Sequence, residues 1–468
     1  MSRSFWASHA WVDGTWCPNV LLRCDGSGRW IEIRRSVSPE QAHTQAQQKG
    51  EVLEILPGPA LPGMVNAHSH AFQRSFAGLT EQRHAEQDDF WSWRDRMYQI
   101  ALRISPEQLT AVAQQLYTEM LCGGYTHVCE FHYLHHQSDG RPYPQPTRMA
   151  RALADAARQV GMGLSLLPVL YERAGFAQPT LRKDQRRFAT QAEDVAAMRQ
   201  DIRSWKLPGV EAGAAIHSLR AASPDAIQRL WTLSAADPGP IHIHVAEQTA
   251  EVDDCVAATG CRPVEWLARE VPLNARWHLV HATHTVPSEV QAVSRAQGGV
   301  VLCPSTEANL GDGLADVEGW LAQGAAVSIG SDSHVCRRWP QELQLLEYGQ
   351  RLQRRQRNVL ADPAGHQPST AARLFNAVQY GGAAAAGWAA HGLSVGARAD
   401  LLVLDTAAPG LAGVPHASLL DALVFAAEGG VFSQVWVSGQ QVVREGRHLH
   451  QQEIAREFTQ VMQTLHAV

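Results

Sequence analysis

The stretch PGMVNAHSHAFQRSFAGL, residues 62–79, decides the fold of this chain. Its opening proline and glycine mark a turn, and the apolar residues after them predict a buried β-strand that ends in an HSH triplet. Residues two apart on a strand point to the same face, so the imidazoles of His68 and His70 can bind one metal ion. Two histidines at this spacing are weak evidence alone, and the rest of the chain must decide.

Eight strand-like apolar runs, separated by long helical stretches, recur from this point onward. They cover residues 64–70, 124–133, 162–170, 210–217, 240–246, 277–283, 299–304 and 325–331. Eight nearly continuous apolar strands alternating with helices predict an α/β fold, a parallel (β/α)8 TIM-type barrel. A doubly wound open sheet is the alternative, but no glycine-rich phosphate loop follows any early strand.

Both ends of the chain depart from this pattern. Residues 1–60 alternate short β-like runs with turns, and residues 392–405 and 431–448 again alternate like half-buried strands. The two ends are therefore expected to build one small composite β-sandwich domain beside the barrel. The expected boundaries are 1–60 for the N-terminal part of this domain, 61–380 for the barrel, and 381–468 for the C-terminal part with a terminal helix.

The composition is that of an ordinary globular enzyme, with 45% hydrophobic and 18% charged residues among 468. A net charge of −6 without any run of Lys or Arg argues against a nucleic-acid partner. No apolar run is long enough for a membrane span, and the N-terminus lacks the apolar core of a signal peptide. The eight cysteines form no CxxC pair and indicate free thiols in a reducing compartment, so a cytoplasmic protein is expected.

Polar residues that can bind a metal follow several of the predicted strands. In such a barrel the catalytic groups lie at the C-terminal ends of the strands. The fifth strand carries His242, His244 and then Glu247, and the eighth ends in Asp332. We select His244 because it lies at the strand end, whereas the deeper His242 is expected to pack or hydrogen-bond inside the barrel. The predicted metal ligands are His68, His70, His244 and Asp332, a donor set that suits Zn²⁺ or Fe²⁺.

The longer motifs resemble a known family. The HxH after the Pro-Gly turn, the HxxE of the fifth strand, a histidine of the sixth and the aspartate of the eighth resemble the amidohydrolase superfamily. No lysine ends the fourth strand, since Lys206 precedes it, so a two-metal site bridged by a carboxylated lysine is not expected. Within the superfamily, five blocks resemble the formimidoylglutamate deiminase family: HSHAFQRSFAGLTE (68–81), FWSWRDRMY (90–98), CEFHYLHH (129–136), HSLRAA (217–222) and LCPSTEANLGDG (302–313).

This resemblance implies hydrolysis of N-formimidoyl-L-glutamate to N-formyl-L-glutamate and ammonia, a step of histidine degradation. It also implies a homodimer with one divalent metal ion per subunit, Zn²⁺ being favoured and Fe²⁺ the alternative. The catalytic residues that it implies are Glu247, His281 and Asp332. Asp332 takes the proton that the attacking water releases, His281 orients the attack, and Glu247 carries a proton to the departing nitrogen.

The two carboxylates of such a substrate need cationic partners, and the bidentate guanidinium of arginine suits them. Arg220, after the fourth strand, and Arg94, in a tryptophan-rich segment, are the expected partners. Gln73 is expected to bond the formimidoyl or amide nitrogen, while Tyr133 and His217 are expected to bond a carboxylate. No role beyond packing or surface is assigned to Arg74, Trp91, Trp93, Arg96, His132, His135, His136, Arg173 and His284.

Two alternatives stay open at this point. One is another one-metal deaminase of the same fold that acts on a nucleobase-like ring, although its pocket would favour aromatic and amide contacts over two arginines. The other is a metal-free barrel that serves as a binding module. Such a module is expected to have lost a ligand or the glutamate of the fifth strand, and all of these residues are present.

Overall fold

The computed structural model describes residues 2–83, 90–237 and 239–467. In chain order the strands are β1 (Arg3–Val12), β2 (Thr15–Cys24), β3 (Trp30–Arg34), β4 (Val52–Ile55), β5 (Ala60–Pro62), β6 (Met64–Ser69), β7 (Tyr125–His132), β8 (Gly163–Leu170), β9 (Val210–Ala212), β10 (Ala214–Ile216), β11 (Ile241–Val245), β12 (Trp277–His281), β13 (Gly299–Leu302), β14 (Ala326–Ile329), β15 (Leu401–Leu404), β16 (Phe432–Val437), β17 (Gln440–Arg444) and β18 (Arg447–His448).

The α-helices are α1 (Pro39–Lys49), α2 (Phe90–Ala101), α3 (Pro106–Cys122), α4 (Arg148–Val160), α5 (Ala192–Ser204), α6 (Pro224–Leu233), α7 (Thr249–Thr259), α8 (Pro263–Glu270), α9 (Pro287–Arg295), α10 (Pro304–Leu310), α11 (Val317–Ala322), α12 (Trp339–Arg354), α13 (Thr370–Ala385), α14 (Leu419–Phe425) and α15 (Gln451–Leu465). Short 3-10 helices span Ala71–Ser75, Lys183–Gln185 and His416–Ser418. Among the described residues, no helix is long and apolar enough to cross a membrane.

Parallel strands build a barrel from the middle of the chain. Its order is β6-β7-β8-β10-β11-β12-β13-β14, and β9 pairs with β8 as the first half of an interrupted fourth strand. The interruption falls at Gly213, where an added Cβ would lie 2.5 Å from the side chain of Leu167. The predicted (β/α)8 barrel is confirmed, and every observed strand lies within the residues predicted for it.

The barrel closes where the end of β14 returns to β6. Ser69 and Asp332 form an isolated parallel bridge, and the Asp332 amide donates to the His68 carbonyl at 3.0 Å. Earlier on the two strands, the Asn66 side chain donates to the Ser331 hydroxyl at 2.6 Å and accepts from the Ser331 amide at 3.0 Å. Closure therefore depends on a few bonds between two strand ends that carry predicted site residues.

The two ends of the chain build a second, mixed sheet, as predicted. Its order is β18-β17-β16-β15-β5-β1-β2-β3, with β4 paired to β1. The sheet curves far enough for Phe5 on β1 to pack edge-on against Trp30 on β3 and Trp436 on β16, with ring centroids 5.8 and 5.0 Å away. Its last strand before the barrel, β5, ends only two residues before β6 begins.

Helix α1 is a difference from the sequence prediction, which has only short strands in residues 1–60. The Ser38 hydroxyl accepts from the Gln41 amide, and the Gln41 side chain accepts from the Ser38 amide. Gly50 ends the helix in the left-handed region, with φ at 66°. Both signals are local and readable, but the apolar alternation on either side of the segment outweighed them in the prediction.

Helix α13 closes the N-terminal end of the barrel. Its last residue, Ala385, belongs to a small apolar cluster with Ala67, Val280, Val301 and Cys303. The Ala385 carbonyl accepts a hydrogen bond from His242 Nε2 at 2.9 Å. His242 therefore hydrogen-bonds inside the barrel, as predicted, and the site residues lie at the other end of the strands.

We predict that Gly330→Ala destabilises the barrel at its closure. A Cβ on Gly330 would lie 2.6 Å from the His68 Cβ and 2.9 Å from the His68 backbone nitrogen and oxygen, so β14 would have to move away from β6. The free energy of unfolding, measured by urea denaturation, should fall by roughly 1–3 kcal/mol. Gly175→Ala is the matched control, because an added Cβ there meets no atom within 4 Å. Equal effects of the two substitutions would contradict the prediction.

Candidate active site

The predicted metal ligands converge at the C-terminal end of the barrel. His68 Nε2 lies 3.1 Å from His70 Nε2 and 3.0 Å from His244 Nε2. Asp332 Oδ1 lies 3.4 Å from His68 Nε2 and 3.3 Å from His70 Nε2. All four side chains are buried. The ligand atoms form two overlapping groups, each within 4.8 Å of one another, and His68 belongs to both: His68, His70 and Asp332 in one, and His68, His244 and His281 in the other.

The backbone at these strand ends lies in the left-handed region. The φ angle is 44° at Asp332, 68° at His281 and 53° at Ala246, the residue before Glu247. Non-glycine residues adopt this conformation rarely, at a cost on the order of 1–3 kcal/mol each. The surrounding hydrogen bonds maintain this strain, which turns the chain sharply at the point where each site residue is presented.

Burial favours the neutral form of the three imidazoles predicted as ligands. It lowers the pKa of His68 to about 3, and it lowers the pKa of His70 and of His244 below the usual value. His70 Nδ1 donates to the Phe131 carbonyl at 2.8 Å, because a carbonyl oxygen can only accept. The other ring nitrogen of His70, Nε2, therefore carries a lone pair and points it at the cluster.

Hydrogen bonds alone cannot satisfy these nitrogens. His68 Nε2 lies near two other ring nitrogens, His70 Nε2 and His244 Nε2. If His68 Nε2 carries a proton, it can donate that proton to only one of them. If it carries a lone pair, it can accept only from His244, since His70 Nε2 has no proton to donate. Within the described residues, His68 Nδ1 also has no hydrogen-bond partner. A divalent cation would accept a lone pair from every one of these nitrogens. The residues present therefore fit a metal ion of the zinc or iron type.

Asp332 supplies the negative charge of this cluster. Burial alone would raise its pKa, but the hydrogen-bonding contact with His68 and the charge of His281 help to outweigh burial and lower the pKa below its usual value. Its two oxygens face different partners. Oδ1 faces His68 and His70, whereas Oδ2 lies 3.7 Å from His281 Nε2.

His281 lies between carboxylates. Its Nε2 is 3.6 Å from Glu247 Oε1, and its Nδ1 is 3.2 Å from Glu307 Oε1. Burial lowers the pKa of His281, but the neighbouring carboxylates outweigh burial and raise it to about 10. Glu307 also accepts from the Cys303 amide at 2.8 Å, which fixes its position. The sequence analysis missed Glu307, although metal-site histidines commonly pair with a carboxylate and this glutamate lies in a quoted block.

Glu247 is a carboxyl group that can exchange a proton near neutral pH. Burial raises its pKa to about 7, while the charges of His281 and Arg220 limit the rise. Asp312, which the sequence analysis also missed, lies close enough to influence it and bonds the Gln248 side chain. Burial, followed by the charge of Glu247, raises the pKa of Asp312 to about 9. A group that titrates near the working pH is suited to general acid–base catalysis.

One pocket, open to solvent on one side, joins these groups to the residues expected to bind substrate. The site residues on its wall are His70, Gln73, Arg94, Tyr133, His217, Arg220, His244, Glu247, His281 and Asp332. Every substrate-binding residue predicted from the sequence therefore lies on the same cavity as the predicted acid–base residues. Of the site residues predicted from the sequence, His68 alone does not line the pocket, because its side chain is fully buried.

Two arginines of this cavity share one aromatic surface. The guanidinium carbon of Arg94 lies 4.6 Å from the ring centroid of Trp91, and that of Arg220 lies 5.4 Å from it. The Nε of each arginine is buried and has no hydrogen-bond partner among the residues that the structure describes. Buried guanidinium donors of this kind suit a carboxylate ligand. Trp91, expected only to pack, therefore holds both cationic groups.

Comparisons with known proteins agree with this geometry. The model of the amidohydrolase family matches residues 60–442. The chain is 44% identical over 462 residues, 98% of each chain, to formimidoylglutamate deiminase of Pseudomonas aeruginosa. It superposes with a TM-score of 0.91 on the crystal structure of an amidohydrolase from Brucella melitensis, at 40% identity over 99% of this chain and 100% of that one. A zinc-bound adenosine deaminase from Xanthomonas campestris shares the fold, with a TM-score of 0.81 and 20% identity over 99% and 98%.

We predict that the protein binds zinc and that His244→Gln weakens this binding by more than about 100-fold, beyond the range typical of changes around a metal site. His242→Gln is the matched control, because His242 lies on the same strand and faces the same way but bonds the Ala385 carbonyl. Zinc affinity is measured by competition with a chelator, and zinc content by elemental analysis. Similar losses in the two variants would argue against the chosen ligand.

Proposed function

The chain belongs to the amidohydrolase family, and from this premise we propose that it acts as a formimidoylglutamate deiminase. It hydrolyses N-formimidoyl-L-glutamate to N-formyl-L-glutamate and ammonia, a step of histidine degradation. Support comes from the 44% identity that spans nearly the whole of both chains. The observation that carries the proposal is the single cavity that combines the His/Asp cluster and Glu247 with two arginines whose Nε atoms are buried and unpaired in the described structure.

The metal centre of this proposal holds one divalent ion, Zn²⁺ or alternatively Fe²⁺. Its ligands are His68, His70, His244 and Asp332. When bound, the ion supplies Lewis-acid activation of water at neutral pH. The proposal is supported by the three neutral imidazoles, whose Nε2 atoms cannot satisfy one another, and by the anionic oxygen beside them.

Three side chains move or steer the protons. Asp332 accepts the first proton through Oδ2, because its Oδ1 faces the ligand histidines. His281, held at Nδ1 by Glu307, presents Nε2 between Asp332 and Glu247 and orients the attack on the formimidoyl carbon. Glu247, with its pKa near 7, gives a proton to the departing nitrogen so that it leaves as ammonia.

The remaining cavity residues hold the substrate. Arg94 and Arg220 pair with the two carboxylates, and Tyr133 and His217 add hydrogen bonds to them. Gln73 donates from Nε2 to the Tyr133 hydroxyl at 3.1 Å, which leaves its Oε1 as an acceptor without a partner in the described structure. This oxygen suits an N–H group of the formimidoyl nitrogen. Burial lowers the pKa of His217, so it binds as a neutral donor.

We further propose a cytoplasmic homodimer. The family resemblance supports the dimer, and the spacing of the cysteines in the sequence supports a reducing compartment. Sedimentation analysis of the purified protein tests the oligomeric state, with a single species of twice the 51.3 kDa chain mass as the expected result.

We predict rapid ammonia release from N-formimidoyl-L-glutamate by the zinc-loaded protein, and none from guanine or cytosine. N-formimidoylglycine lacks one carboxylate, so its kcat/KM should be lower by roughly 10–100-fold, the value of one hydrogen bond to a charged group. Glu247→Gln keeps the shape of the site but cannot transfer the proton, and it should lose roughly 10²–10⁴-fold in kcat. Ammonia release from a nucleobase instead would leave the metal centre standing and contradict the arginine assignments.

We predict that Arg220→Met raises KM for N-formimidoyl-L-glutamate and lowers kcat/KM by roughly 10–100-fold, because a carboxylate loses its charged partner. Methionine keeps much of the aliphatic bulk beside Trp91. Arg182→Met is the matched control, since Arg182 already pairs with Asp184 at 2.5 Å and with Asp95 at 3.2 Å. Steady-state kinetics of both variants make the comparison, and an unchanged KM in Arg220→Met would contradict the assignment.

A further inference from the structure

Glu130, a buried carboxylate outside the cavity, hydrogen-bonds the segment that carries the HxH pair. Glu130 on β7 lies opposite Ser69 in the parallel pairing with β6. Its Oε2 accepts from the Ser69 hydroxyl at 2.7 Å, and its Oε1 accepts from the Ala71 amide at 2.5 Å. One carboxylate therefore holds the chain on both sides of His70.

Glu130 is held in turn by a neutral donor. The Tyr117 hydroxyl, from helix α3, donates to Glu130 Oε2 at 3.2 Å. Glu130 is only 2% exposed, and Tyr117 is fully buried. A carboxylate is expensive to bury even when it is hydrogen-bonded, and an apolar side chain would meet a purely structural need at lower cost. The geometry thus calls for a role that needs two well-placed acceptor oxygens.

The next residue of β7 acts on the same histidine. The Phe131 carbonyl accepts from His70 Nδ1 at 2.8 Å and so sets the orientation of its ring. The Phe131 ring stacks on His244, with the ring centroids 4.3 Å apart. The end of β7 therefore fixes the ring of His70 through one residue and its backbone through the other.

We propose that Glu130 is a positioning residue of the metal centre. It clamps residues 69–71 against β7, so that His68 and His70 present their Nε2 atoms to one point. It touches neither substrate nor metal, and it acts through the backbone that carries the ligands. The inference rests on the metal centre of the proposed function and not on the identity of the substrate.

The test is the zinc affinity of Glu130→Ala and Glu130→Gln, measured by chelator competition. Glu130→Ala leaves the Ala71 amide without an acceptor, and its affinity should fall by roughly 10–100-fold, as is typical when a partner of metal ligands is removed. Glu130→Gln should lose less, because its amide oxygen can still accept from Ala71 while its NH₂ donates to the Ser69 hydroxyl. Added zinc should restore most of the kcat of both variants.

Glu342→Ala is the matched control. Glu342 is also fully buried, and burial raises its pKa to about 7, as it does for Glu130. It likewise accepts from one backbone amide and one hydroxyl, both of Ser305, at 2.9 and 2.7 Å. These bonds lie outside the HxH segment, so this variant should lose thermal stability while keeping its zinc affinity.

The outcomes separate three cases. Unchanged zinc affinity in the Glu130 variants overturns the proposal. An equal loss of zinc affinity in Glu342→Ala also overturns it, because the loss would then come from general destabilisation of the fold. If Glu130→Ala does not fold, Glu130→Gln and Ser69→Ala decide, each with an expected loss of about 2–10-fold, the value of one neutral hydrogen bond. A wild-type protein that binds neither Zn²⁺ nor Fe²⁺ refutes the proposed metal centre, and this proposal with it.

Discussion

The site depends on the hydrogen bonds that join β6, the first strand of the barrel, to the residues that follow β14, the last strand. We call this contact the seam. Backbone bonds cross it in both directions, from the Asp332 amide to the His68 carbonyl at 3.0 Å and from the His70 amide to the Asp332 carbonyl at 3.4 Å. His334 Nε2 adds a bond to the His70 carbonyl at 3.0 Å. The seam that closes the barrel is therefore also the one that brings imidazole and carboxylate together. Ligand geometry and fold stability are coupled because they share these bonds.

The interior of the barrel shapes the chemistry by excluding water. The same burial keeps His68 and His244 neutral, with lone pairs free, and raises the pKa of Glu247 into the range where a proton can be exchanged. The ring of Trp91 lies beside the guanidinium groups of Arg94 and Arg220, which line the same pocket, and attracts both. One pocket thus combines a carboxyl group that can exchange a proton with two cationic side chains.

Much of this was predictable from local sequence. Buried parallel strands are continuous apolar runs, and the HxH and HxxE spacings place side chains at strand ends, so the barrel and the residues of the proposed site could be predicted. Glu130 and Glu307 lie inside quoted blocks, but their roles were missed because the partner of each belongs to an element distant in the sequence. Separations of 26 positions from His281 to Glu307 and of 61 positions from Ser69 to Glu130 carry no periodic signal. Helix α1 is different, since its capping box and glycine stop were readable.

The position of Ala385 inside the barrel bears on how the chain is made. The last barrel strand ends at Ile329, yet the Ala385 carbonyl, which accepts from His242 inside the barrel, comes 56 positions later, and β5, which pairs with β1 on one side, finds its second partner in β15. A ribosome delivers these segments after every strand of the barrel. Until residues 401–404 emerge, one side of β5 has no strand to pair with, and unpaired strand edges attract other chains. During synthesis the nascent chain therefore carries an open edge of β5 until β15 is available to cover it.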